Sequence, residues 1–99
     1  MSNYLHQLNK AFENRSRLGI MSVLAVNECV DFNRLKELLE LTDGNLASHL
    51  TALERENYIE VQKQFIGKKP NTSYLLTDAG RAAFRSHLDA LEAMLREMR

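Results

Sequence analysis

Ninety-nine residues, 44% apolar and 26% charged, describe one ordinary domain with a single modest core, too small for an enzyme with a separate substrate domain. A net charge of zero excludes an all-over basic coat, so a polyanionic partner has to be met by segregated charge: residues 28–60 hold eight acids against Arg34, Lys36 and Arg55, whereas residues 61–76 hold Lys63, Lys68 and Lys69 and no acid. No apolar run approaches the roughly 18 residues of a membrane span, the start MSNYLHQLNK lacks a signal-peptide core, and the lone Cys29 excludes an internal disulfide framework, so a cytoplasmic protein is expected, with Cys29 packed as a small apolar residue.

Tyr4, Leu5, Leu8, Ala11 and Phe12 recur at helical spacing and predict a short amphipathic helix within residues 1–13. Such a helix has to lay its stripe on the rest of the subunit or on a second copy. Asn14 reads as the cap of a second helix, with Arg15, Leu18, Met21, Leu24 and Ala25 behind it and an end near Asn27. Its apolar residues exceed one stripe, which makes it the central helix of the core. Val30 and Asp31 predict a short strand, after which Asp31 caps a third helix buried along Phe32, Leu35, Leu38 and Leu39.

Leu41 ends that helix, and Thr42 opens the stretch LTDGNLASHLTALERENY around which the chain is organised. Leu46, Leu50 and Leu53 give one buried helical stripe. Opposite it, at about 100° per residue, lie Gly44, Ser48, Thr51 and Arg55, with Asn45 and Ala52 on the shoulder and His49 on the flank beside Leu46 and Leu53. A helix facing only solvent carries long Glu and Lys side chains there. Small, hydrogen-bonding ones suit close approach to a partner, and the major groove of DNA admits one helix and presents base edges to such groups. Two helices joined by so short a turn match a helix-turn-helix over residues 31–56.

Asn57 and Tyr58 close the helix, and the period then changes to that of a strand, with Ile59, Val61 and Phe65 on one side, broken by Lys63, and Glu60, Gln62 and Gln64 on the other. GKKPNT, residues 67–72, is turn chemistry, and Tyr74, Leu75 and Leu76 return as a second strand. A hairpin over residues 59–76 with lysines at its tip is a wing. Thr77 caps the last helix, and Asp78 sits at its positive end. Phe84, Leu88, Leu91, Leu95 and Met98 are spaced 4, 3, 4, 3, two heptads of a seam. Residues 77–99 would span about 34 Å, longer than a small domain needs, so the overhang is expected to meet a partner chain in a two-fold homodimer that also takes in Leu5, Leu8 and Phe12.

The run DFNRLKELLELTDGNLASHLTALERENYIEVQKQFIGKKPNTSYLLTDAGRAAF resembles the winged-helix domain of small MarR-like transcriptional regulators, and its helix-turn-helix is also similar to that of the ArsR group. The resemblance covers roughly residues 5–95. It implies a mainly α fold, a winged helix-turn-helix of three core helices plus a β-hairpin wing, with terminal dimerisation helices at residues 1–13 and 77–99. It implies a homodimer that binds a pseudo-palindromic operator in double-stranded DNA, one recognition helix and one wing per subunit. Position by position, Thr42 and Asn45 match the start of the family's recognition helix, Ser48 and His49 its middle, and Lys68 and Lys69 its wing; Thr51 and Ala52 depart from it where relatives often carry Arg or Lys. The expected DNA-binding set is therefore Thr42, Asn45, Ser48, His49, Thr51, Arg55, Lys63, Lys68 and Lys69.

Two other classes compete with this one. A winged helix turned to protein contacts fits the neutral charge and a recognition helix poor in Lys and Arg. A metal sensor of the ArsR kind is weakened because one cysteine, beside Asp31, supplies no soft-metal site, and His6, His87 and Asp89 have no ligand spacing. An enzyme has no foothold: there is no glycine-rich phosphate loop, no nucleophile elbow and no paired carboxylates in a cleft. No cofactor is implied, and no residue set defines an effector ligand.

Overall fold

The computed structural model describes residues 4–98; the outer ends of the two terminal helices expected from the sequence, residues 1–3 and 99, lie outside the described residues. Helix α1 (Arg15–Ala25) runs through the centre, followed by β1 (Val30–Asp31), α2 (Phe32–Leu39), α3 (Asp43–Arg55), the hairpin β2 (Ile59–Ile66) and β3 (Lys69–Leu76), and the long α4 (Asp78–Arg96). The three strands form an antiparallel sheet in the order β1-β3-β2, with Val30 opposite Tyr74 and Ile59 opposite Leu76. This is a winged helix-turn-helix.

Each helix starts where the sequence supplies an acceptor. Asn14, Asp31, Thr42 and Thr77 all accept N–H groups of the first turn through their side-chain oxygens, which satisfies donors that the helix itself leaves unpaired. The core gathers Ile20, Met21 and Leu24 of α1, Leu35 of α2, Leu46, Leu50 and Leu53 of α3, and Ile59 and Leu76 of the sheet. Glu40 takes a left-handed backbone, φ 53°, to turn α2 into α3. One close approach fixes α4: at Gly80 a β-carbon would lie 1.9 Å from the carbonyl oxygen of Tyr58, so only glycine lets the helix sit against that strand corner.

Four expectations need correction. Residues 4–12 form two short 3-10 turns, Tyr4–Gln7 and Lys10–Phe12, in place of one amphipathic helix. Asn9 breaks them, because its side chain caps the second turn while its own N–H is drawn to His87 Nδ1 at 2.9 Å. Phe12 and Phe84, expected at a dimer interface, are buried in the chain's own core at 1% and 4% exposure, their rings edge to face 5.4 Å apart, with Tyr58 and His87 also against Phe12. The turn of the wing is only Gly67 and Lys68, and β3 continues through Pro70, Asn71 and Thr72. Pro70 is tolerated because a two-residue turn makes Phe65 and Pro70 a pair without mutual hydrogen bonds, and β1 does not reach that far along the other edge of β3. Finally, Cys29 is exposed and not packed: it lies in the connection between α1 and β1, where Val26, Asn27 and Glu28 are exposed as well because the chain there runs over the surface.

Candidate nucleic-acid interface

The stripe Leu46, Leu50, Leu53 pins α3 to the core, and this forces the opposite face outward. On that face Gly44, Ala47, Ser48, Thr51, Ala52 and Arg55 line one open depression together with Arg17 from α1. Gly44, Ser48, Thr51 and Arg55 are exposed, and a β-carbon at Gly44 would meet nothing within 4 Å. The surface is thus smooth, polar and uncovered, with short donors and acceptors in the middle and an arginine from each of two helices. Among the described residues, the ion pairs are Arg34 with Glu37, Lys36 with Asp43, and Arg96 with Glu92; neither Arg17 nor Arg55 is among them.

The other expected residues take distinct places. The Thr42 hydroxyl accepts the Asn45 N–H at 3.2 Å, so Thr42 shapes the start of α3, while the Asn45 side chain is exposed at that end, outside the depression. His49 is half-buried and its Nδ1 accepts a hydrogen bond from Arg17 Nε at 3.1 Å. Burial, and then the Arg17 charge, hold its pKa below the ordinary histidine value, which keeps the imidazole a neutral acceptor. Lys63, Lys68 and Lys69 are exposed on the wing, none of them in an ion pair among the described residues, and they stand apart from the α3 depression. Gly67 has φ 67°, and Lys68 has no positive φ, the pattern of a two-residue hairpin turn with glycine first. Beside the lysines, Phe65 and Ile66 are 74% and 64% exposed, since beyond Val61 strand β2 is exposed on both of its faces.

Arg17 is the residue that the linear pattern does not single out. A signal exists: Arg15 and Arg17 occupy the first turn of α1, where the positive helix end disfavours cations, so their presence there has to be explained by something else. Along α4, Leu88, Leu91 and Leu95 are exposed at 42%, 39% and 57%, as are Met98 just past its end at 81% and Leu5 at 64%, whereas His87 and Ala90 face the core. The α4 surface is continuous with an apolar cleft lined by Leu18, Ala25, Val26, Leu38, Leu39, Phe84, Leu88 and Leu91. No group of three or more His, Cys, Asp or Glu among the described residues stands together as a metal site, and no described helix is long and apolar enough to cross a membrane.

Comparison with known proteins agrees with this geometry. A protein of Methanocaldococcus jannaschii, itself uncharacterised, is 39% identical over 79 residues, which cover 80% of this chain and 86% of that one. The structure of a transcriptional regulator homologue from Pyrococcus horikoshii OT3 superposes with a TM-score of 0.89 at 31% identity, covering 98% of both chains. MepR of S. aureus, solved as a complex with DNA, shares the fold at a TM-score of 0.77 and 15% identity, over 94% of this chain and 76% of that one. The profile of the winged helix DNA-binding domain matches residues 16–95, from α1 into the last turn of α4. Having that match over most of its length and the helix-turn-helix and wing in place, the chain belongs to the winged helix DNA-binding domain family.

Proposed function

We propose that the chain is a homodimeric, sequence-specific transcriptional regulator, a DNA-binding module and not an enzyme, working in the cytoplasm. The observation that carries this reading is the outward face of α3, uncovered and made mostly of small side chains, on a chain whose wing holds three exposed lysines that form no ion pair among the described residues. In this reading α3 enters the major groove. Asn45, Ser48 and Thr51 meet base edges, Arg55 meets the flanking backbone, and Lys63, Lys68 and Lys69 carry the wing along phosphates or into the minor groove. The exposed leucines of α4, with Leu5 and Leu8, join two copies. The two recognition helices then reach successive grooves of a pseudo-palindromic operator, about 10 base pairs or a multiple apart. The DNA complex of MepR and the regulator homologue of Pyrococcus horikoshii are consistent with this use of the fold.

Two substitutions separate backbone from base contacts. Asn45→Ala is expected to cost about 1–3 kcal/mol of discrimination at one base step and little on random duplex. Lys68→Ala is expected to weaken binding alike on all sequences and to make the salt slope shallower by about 1. Equal losses for Asn45→Ala on specific and random DNA would remove it from the reading set. The protein-contact reading keeps one observation in its favour, the exposed Phe65 and Ile66 on a molecule of zero net charge. Failure to enrich any sequence from random duplex DNA would favour it.

A further inference from the structure

We propose that Arg17 is a further backbone-phosphate contact of this surface, held in position by His49; the inference rests on the DNA-binding reading above. Arg17 comes from α1, outside the helix-turn-helix, yet it lines the same depression as Ser48 and Thr51. Its backbone is fixed, because the Asn14 side chain accepts the N–H groups of Ser16 and Arg17 at 2.9 and 3.1 Å. Its side chain is fixed as well. Nε donates to His49 Nδ1 at 3.1 Å, which uses one guanidinium N–H and leaves the four on Nη1 and Nη2. Among the described residues no carboxylate pairs with them. A planar fork with its stem tethered and its two terminal nitrogens uncommitted has the geometry that phosphate oxygens accept from arginine.

The charge would otherwise be misplaced. The first turn of α1 repels a cation through the helix dipole, and the hydrogen bond to His49 does nothing to neutralise that charge. An incoming phosphate neutralises it. Together Arg17 and Arg55 supply, from two helices, the cations that Thr51 and Ala52 do not. Gly44, Ala47 and Ala52, all in the same depression, leave the approach unobstructed. His49 in this arrangement touches no DNA and acts through Arg17, as a positioning residue.

The test is titration of the full chain with a selected duplex and a random one across a salt series, for Arg17→Ala, Arg17→Lys, His49→Ala, His49→Asn, the Arg17→Ala/His49→Ala pair, and Lys68→Ala as reference. Arg17→Ala is expected to weaken binding about 3- to 10-fold on both duplexes and to make the salt slope shallower by about 1, as loss of one phosphate contact requires. Arg17→Lys should keep the parent slope, which also shows that the fold tolerates change at this position. His49→Ala should weaken binding less than Arg17→Ala does, and His49→Asn, whose side-chain oxygen falls where Nδ1 stood, should restore it. The paired variant should bind no worse than Arg17→Ala alone, because contacts that act as a unit do not add. Parent affinity and slope in Arg17→Ala, beside a shallower slope in Lys68→Ala, would overturn the role of Arg17 and leave the DNA reading standing. Losses that multiply in the paired variant would overturn the positioning role of His49. A parent chain with no salt-dependent DNA binding would overturn both readings.

Discussion

His87 and His49 are two imidazoles held neutral for different purposes. His87 is 4% exposed on α4; its Nδ1 accepts the Asn9 N–H and its ring lies edge-on to Phe12. Burial lowers its pKa, and nearby Glu13 pulls weakly the other way; for His49 burial and then Arg17 both lower it. In the unfolded chain both rings take a proton near the ordinary value of about 6.5, and in the folded chain only at lower pH. The unfolded state therefore binds more protons in that window, and stability must fall as pH drops through it. We expect the melting temperature to decline between about pH 7.5 and 5.5, and His87→Gln, which keeps an acceptor for Asn9, to flatten the decline. An unchanged slope in that variant would place the linkage elsewhere. Neither role is legible in the sequence, because the partners of His87 and His49 lie 78 and 32 positions away.

At the scale of elements, what is local in cause is legible in the sequence. The caps Asn14, Asp31, Thr42 and Thr77 act on N–H groups two or three residues ahead, and the stripe of α3 is a matter of period, so α1, α2, α3 and α4 begin where the letters place them. The 3-10 turns before α1 depend on a bond to α4, and the length of β3 depends on pairing with β2, which composition alone does not disclose. Gly80 belongs to the same class. Glycine inside a helix costs about 1 kcal/mol against alanine, which hints that something approaches closely, but not what. The structure supplies the Tyr58 carbonyl, onto which the Thr77 N–H also docks at 3.1 Å. Gly80→Ala, stabilising by helix propensity alone, is expected instead to destabilise by roughly 1–3 kcal/mol or more, because backbone and helix must be forced apart. Chemical denaturation decides it, and a variant at least as stable as the parent would mean that α4 can tilt away freely.

The whole molecule is drawn out, 56 × 25 × 21 Å, with a radius of gyration of 15.0 Å. A compact domain of this length has about 13 Å, and the excess is in keeping with a wing and an α4 that both reach past the core. Along α4, Leu88, Leu91 and Leu95 line a surface that a single copy leaves exposed, and it is this surface that the proposed dimer would cover. Because Leu91 and Leu95 are 39% and 57% exposed within one chain, Leu91→Glu with Leu95→Glu should leave the fold intact and give monomers in sedimentation; dimers that persist would move the interface elsewhere. The sequence heptads point to the same edge, although they include Phe84, which the single chain uses for itself. The most direct test of the account is selection of bound sites from random duplex DNA at moderate salt, followed by footprinting of the winner. Enrichment of a sequence with two inverted half-sites about 10 base pairs apart or a multiple of that is the expected result. An isolated half-site, or no enrichment at all, would contradict it.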